Sequence, residues 1–150
     1  MSEIDTAATA QRIVDANMYM TIATAGADGR PWVSPVWYAA RSNAEFLWVS
    51  SPDARHSRNI AVRPEIAIVI FDSTVPVGGA EALYLEGVAE QLVDVEEAIA
   101  VFSERSQACG AGPWEAADVA PAARLRLYQA RVDSQSVLGP GDKRLPLVNR

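Results

Sequence analysis

Histidine and cysteine are nearly missing from this chain, which contains one of each, His56 and Cys109, among 150 residues. A single cysteine cannot form a disulfide within the chain, and a free thiol is typical of a reducing compartment, so we expect a cytoplasmic protein. The chain has no second histidine, and no cysteine or carboxylate lies at ligand spacing from His56, so we predict no metal site. No side chain stands out as a nucleophile, acid or base, and we assign no catalytic residue.

Long hydrophobic runs and a positive net charge are also missing. No apolar run approaches the roughly 20 residues that span a membrane. The first ten residues contain two acids and no basic residue, so we expect no signal peptide. The formal net charge of −6 argues against nucleic acid as a partner. The length fits a single domain over residues 1–150, and about half of the residues are apolar, enough for a sizeable core.

Apolar runs and their alternation predict a sheet with few helices. Strands are predicted at residues 20–24, 32–39, 45–49, 66–71, 81–93 and 124–132, with 135–138 as a candidate addition. Helices are predicted at residues 6–17, 52–62 and 94–106. Because the early strands follow one another through hairpin-length links, these about six strands indicate a mainly β (α+β) fold, an antiparallel sheet or barrel with peripheral helices.

Two residues indicate irregular points in the predicted strands. Pro35 cannot donate a hydrogen bond to a ladder, so it predicts a sheet edge, a bulge or backbone left open to a ligand. Gly87, inside the long strand over residues 81–93, predicts a bulge or a bend.

The segment SSPDARHSRNIAVRP, over residues 50–64, predicts an anion site. The preceding strand ends in the hydroxyls of Ser50 and Ser51, and we expect Ser51 to cap a helix with Pro52 in its first turn. Three basic side chains follow within two turns: Arg55, His56 and Arg58. Hydroxyls, free helical N–H groups and cations together favour a phosphate ligand. The alternative is a helix face that is merely solvated.

A family resemblance rests on three segments, GRPWVSPVWYA, FLWVSSPDARHSRNIAVRPEIAIVIFD and LYLEGVAEQL. In this order they resemble the flavin-binding split barrels related to pyridoxamine 5′-phosphate oxidase, over roughly residues 18–93. The resemblance implies a six-stranded antiparallel split β-barrel, usually a homodimer, with FMN in the groove between the subunits. It also implies a small oxidoreductase that acts on a small molecule.

The resemblance assigns the cofactor contacts to two segments. The main chain of Ser34, Pro35 and Val36 would line the edge of the flavin ring. The ribityl-phosphate end would lie against residues that include the predicted anion site: Ser50, Ser51, Arg55, His56, Arg58 and Asn59.

Three departures from the family pattern identify the chain as a generic member, not the oxidase itself. His56 stands where the family often has lysine, and Ser34 stands where the oxidases have arginine. Because His56 is the only histidine, the paired arginine and histidine that bind the oxidase substrate are missing. Two alternatives stay open: a deazaflavin-dependent reductase that uses the same groove, and a non-catalytic flavin or haem carrier or sensor.

Overall fold

The computed structural model describes residues 3–147 as an antiparallel sheet with three α-helices. The helices are α1 (Thr6–Ala16), α2 (Arg55–Val62) and α3 (Glu96–Ala108). The strands are β1 (Tyr19–Ala25), β2 (Pro31–Trp37), β3 (Ala39–Ser42), β4 (Glu45–Ser50), β5 (Glu65–Phe71), β6 (Ala82–Gln91), β7 (Arg126–Leu138) and β8 (Arg144–Pro146). Within these residues, no helix is long and apolar enough to cross a membrane.

The strands follow the order β2-β1-β5-β6-β7-β4-β3, and β8 pairs with β7. β2 and β3 lie at opposite ends of this order, yet they are consecutive in the chain, since Trp37 ends β2 and Ala39 begins β3. The sheet therefore curls back on itself as a split barrel. Because β2 pairs only with β1 among the described strands, its other edge stays open.

The predicted mainly β fold with peripheral helices is confirmed, with eight strands rather than about six. The strand predicted over residues 32–39 is divided into β2 and β3, because the two pieces pair with different strands, β1 and β4. The two segments predicted at residues 124–132 and 135–138 are one continuous strand, β7. The C-terminal residues, which have no clear pattern, contain β8.

Gly87 lies at a bulge between β6 and β7, as predicted. Gly87 pairs with Val132 and Glu86 pairs with Ser134, so Asp133 is an extra residue on β7. A Cβ at Gly87 would overlap the main chain of β7. Only glycine lets the two strands approach this closely, and the bulge lets β7 continue as a single bent strand.

Two hydrophobic clusters lie on opposite faces of the sheet. The larger cluster fills the barrel interior and includes the fully buried Phe46 and Trp48 of β4. The smaller cluster includes Leu47, which points the other way, and is covered by Ile99 and Phe102 of α3. α3 therefore shields the outer surface of the half of the sheet formed by β3, β4 and β7.

Tyr38 holds α1 against the barrel. Its hydroxyl donates to the Val14 carbonyl oxygen at 2.7 Å and lies 3.1 Å from that of Asn17. Burial raises the pKa of Tyr38 to about 12, so this hydroxyl remains a donor. At the other end of α1, the Asp5 side chain caps the helix, since it accepts from the Ala8 N–H at 3.0 Å.

Candidate functional site

Strand β2 presents an open main-chain edge. The Tyr38 N–H donates to the Met18 carbonyl at 3.1 Å, so Met18 and Tyr38 are a hydrogen-bonded pair at the end of the ladder between β1 and β2. Alternation along an antiparallel ladder then turns the main-chain groups of Ser34 and Val36 toward β1 and those of Pro35 away from it. A proline removes no ladder hydrogen bond there, so the predicted sheet edge at Pro35 is confirmed.

The side chains of the three predicted ring-edge residues differ in exposure. Val36 is buried in the barrel core, Ser34 is half-buried and Pro35 is exposed. Val36 therefore offers no side chain to a ligand, whereas Pro35 combines an exposed ring with a carbonyl on the open edge.

Helix α2 begins later than predicted. Its first residue is Arg55, and Ala54 occupies the N-cap position with no side chain capping the helix. Ser51 closes the preceding turn, since its hydroxyl accepts from the Asp53 N–H at 3.1 Å. The prediction that Ser51 caps the helix, with Pro52 in the first turn, is wrong because a separate turn connects the strand to the helix.

His56 points into the protein. The residue is 8% exposed, and its Nε2 lies 2.9 Å from the Ser50 Oγ at the end of β4. Burial lowers the pKa of the imidazole, so His56 is neutral near pH 7. In the protein alone, His56 therefore contributes a hydrogen bond to Ser50 rather than a positive charge.

Asn59 ties α2 to the hairpin between β1 and β2. Its side-chain amide donates to the Thr24 Oγ1 at 3.0 Å, and both residues are buried. A Cβ at Gly26 would lie 3.0 Å from the Asn59 Oδ1, so a glycine lets the hairpin pack closely on this amide. Asn59 is thus a positioning residue, because its amide nitrogen already donates to Thr24 inside the protein.

Arg55 and Arg58 are the exposed cations of α2. The Arg55 guanidinium carbon lies 4.2 Å from the centre of the Trp32 ring, a cation–π contact that holds the charge beside β2. In residues 3–147 neither arginine forms an ion pair. We name the group formed by Trp32, Ser50, Arg55, His56 and Arg58 the β2–α2 corner.

The structure thus arranges the predicted site residues of helix α2 in two layers. Arg55 and Arg58 form the exposed outer layer, while His56 and Asn59 are buried and each makes one side-chain hydrogen bond inside the protein. Ser51 takes part in a turn beside this group.

Two residues of this region were not predicted. Trp32 shares a strand face with Ser34, so alternation was the signal that could have placed it near the site. Thr24 is 35 residues from its partner Asn59, and nothing local in the sequence indicates that pair.

In the described part of the chain, the outer surface of the other half of the sheet is not covered by a helix and carries large exposed apolar side chains beside the exposed Glu65 and Glu86. Tyr19 and Val33 are 61% and 63% exposed, and Phe71 and Val88 also remain exposed. The strand registers put all four on the face away from the barrel interior. Large apolar side chains grouped on one exposed face are typical of a protein–protein interface.

The family model and the curated relatives that match this chain point to the same family. The family model described as pyridoxamine 5′-phosphate oxidase matches residues 6–134. A pyridoxine/pyridoxamine 5′-phosphate oxidase from Xanthomonas oryzae pv. oryzae is 30% identical over 95 residues, which is 63% of this chain and 47% of that protein. The chain therefore spans about half the length of the curated relatives it matches.

Solved structures share the fold at low identity. A heme binding protein from Mycobacterium smegmatis superposes with a TM-score of 0.72 at 23% identity, covering 97% of this chain and 59% of that one. An F420 reductase superposes with a TM-score of 0.61 at 21% identity, covering 84% of this chain and 94% of that one. The split-barrel fold is thus shared by a heme binding protein and an F420 reductase.

Proposed function

This chain belongs to the pyridoxamine 5′-phosphate oxidase family, and we propose that it binds FMN and acts as a small flavin-dependent oxidoreductase. The observation that carries the proposal is the β2–α2 corner. There, a guanidinium stacked on Trp32 adjoins the hydrogen-bonded pair of His56 and Ser50.

The donor set of the corner fits a phosphate group. Arg55 and Arg58 provide guanidinium groups, and guanidinium is the side chain best matched to phosphate oxygens. Ser50 provides a hydroxyl, and the first N–H groups of α2 lack a side-chain cap. The open edge of β2 at Pro35 is where the polar edge of a flavin ring would lie.

When bound, FMN would supply the hydride chemistry. The chain's own residues bind the phosphate and orient the ring against β2. We assign no side chain as acid or base, because the imidazole in the corner is buried against Ser50.

We also propose that the protein is a homodimer through the bare face that contains Tyr19, Val33, Phe71 and Val88. These side chains lie on neighbouring strands, and β2 contributes to both this face and the cofactor site. A second copy on this face would shield apolar surface from water and complete a groove beside the corner.

The substrate differs from that of the oxidase in this proposal. Ser34 cannot provide the charge of the arginine found in the oxidases, and the chain has no second histidine. We therefore propose a small molecule other than pyridoxamine 5′-phosphate as the substrate.

The alternative cofactors can be weighed on the same geometry. A deazaflavin such as F420 carries a longer anionic tail, which would ask for more basic residues than Arg55, Arg58 and the exposed Arg63 provide. Haem ligation is less well supported, because the Nε2 of the only histidine is buried against Ser50. A competition titration of FMN with F420 separates the two flavins.

The test uses FMN and riboflavin, which lacks the phosphate. We expect Arg55→Ala to weaken FMN binding by about 1.5–3 kcal/mol, the range for a hydrogen bond to a charged group, and to leave riboflavin binding unchanged. Flavin fluorescence quenching measures both affinities. Arg12→Ala is the matched control, because Arg12 is an exposed arginine on α1 that pairs with Glu81. An unchanged FMN affinity in Arg55→Ala would remove Arg55 from the phosphate site.

A further inference from the structure

In the β2–α2 corner, the direction of the hydrogen bond between His56 and Ser50 decides whether the serine hydroxyl can donate to a ligand. His56 Nε2 and Ser50 Oγ lie 2.9 Å apart, and the imidazole is buried beneath the exposed arginines. We infer that His56 is a positioning residue, which donates to Ser50 and so aims the serine hydroxyl at the phosphate of the ligand. The inference rests on the proposed FMN site.

A serine hydroxyl has a single hydrogen to donate. If Nδ1 carries the imidazole proton, Nε2 accepts the Ser50 hydrogen, and only lone pairs of Oγ face the ligand. If Nε2 carries the proton, the imidazole donates to Oγ and the Ser50 hydrogen is free. Because phosphate oxygens are acceptors, only the second arrangement lets Ser50 bind phosphate.

This role needs no positive charge on His56. Burial lowers the pKa of the imidazole, and a neutral ring can place its one proton on Nε2. The cations of the site are then Arg55 and Arg58, which remain exposed. His56 thus differs from a lysine at this position, which would add charge but could not fix the direction of a neighbouring hydroxyl.

The simpler explanation is that the bond only fastens α2 to β4. A fastening bond works with either tautomer, so it predicts no preference when ligand is bound. The positioning role requires the Nε2–H tautomer in the bound protein, and this difference can be measured.

The chain makes that measurement direct, because His56 is its only histidine and gives a single set of imidazole nitrogen signals. We would record these signals in histidine-labelled protein alone and saturated with FMN. The inference predicts a proton on Nε2 when FMN is bound. A proton on Nδ1 alone would overturn it, because Nε2 would then accept the Ser50 hydrogen.

Binding to variants gives a second readout. Ser50→Ala and His56→Phe should each weaken FMN binding about tenfold or more, and the double variant should lose no more than either alone, because both remove one contact. His56→Gln, which keeps an N–H donor, should bind within about threefold of the original protein. Riboflavin affinity should stay the same throughout.

The outcomes separate this inference from the proposed function. Equal weakening of FMN and riboflavin in His56→Phe would show a fastening role and overturn the inference while FMN binding stands. Failure of the unaltered protein to bind FMN would overturn the proposed function, and the inference with it.

Discussion

Helices α2 and α3 both pack against the sheet, but they bury different kinds of side chain. α3 inserts Phe102 between two tryptophans, with ring centres 4.8 Å from Trp37 and 5.6 Å from Trp114. α2 is shorter, and of its four buried residues His56, Ser57 and Asn59 are polar and only Ile60 is apolar.

This difference indicates separate tasks for the two helices. Burying a polar side chain costs free energy unless a hydrogen bond inside the protein replaces its hydrogen bond to water. An apolar face is therefore the simpler way to anchor a helix. α2 instead uses directional bonds, from Asn59 to Thr24 and between His56 and Ser50. Such bonds fix orientation, which a phosphate site needs, while α3 contributes stability through apolar contact.

The largest effect should come from the apolar helix. Phe102→Ala should lower the free energy of unfolding by about 3–5 kcal/mol, because it leaves a cavity between the two tryptophans. Urea unfolding followed by tryptophan fluorescence measures this loss, with Glu104→Ala as an exposed control on α3. FMN affinity of the folded protein should not change. A loss of FMN affinity in folded Phe102→Ala would contradict the proposal that α3 contributes stability and α2 positions the phosphate site.

A smaller loss of stability should come from the polar helix. Asn59→Ala should cost about 1–3 kcal/mol, because it leaves the buried Thr24 hydroxyl without its partner. Unlike Phe102→Ala, it should also weaken FMN binding, since the hairpin before β2 loses its attachment to α2. Thr24→Val is the matched variant, and a double-mutant cycle should give a coupling of about 1 kcal/mol. Purely additive losses would show that the bond contributes nothing.

The smallest effect is a pH dependence that belongs to α2 alone. The unfolded chain holds His56 near its ordinary pKa of about 6.5, whereas burial lowers the pKa in the folded protein. The unfolded state therefore binds more protons below about pH 6.5, and stability present above that pH is lost as the pH falls. Urea midpoints across this range should show the decline, and His56→Gln should reduce it. If stability declined equally with falling pH in His56→Gln, the pH dependence would come from carboxylates and not from His56.

The sequence predicted the architecture better than the site. The apolar run in β5, the hairpin-length links between the early strands and the proline at position 35 indicated an antiparallel sheet with an open edge, because burial and hydrogen bonding act locally there. The adjacent basic residues Arg55 and His56 looked alike in the sequence. Helical geometry separates them by about a quarter of a turn, which leaves one exposed and the other buried.

Long-range contacts were beyond sequence reasoning for a physical reason. The bond between Thr24 and Asn59 and the stacking of Arg55 on Trp32 depend on how the hairpin and helix meet, not on either segment alone. The division of the strand predicted over residues 32–39 has the same origin, because its two parts have different neighbours.

The most direct test of the account is size-exclusion chromatography of the purified protein after FMN is added, with flavin absorbance recorded across the elution. The account predicts a flavin band that travels with the protein at the mass of two chains. It also predicts that Arg55→Ala elutes at the same mass with less flavin. Protein that elutes without flavin, with all FMN in the small-molecule volume, would contradict the central claim that the β2–α2 corner is a cofactor site.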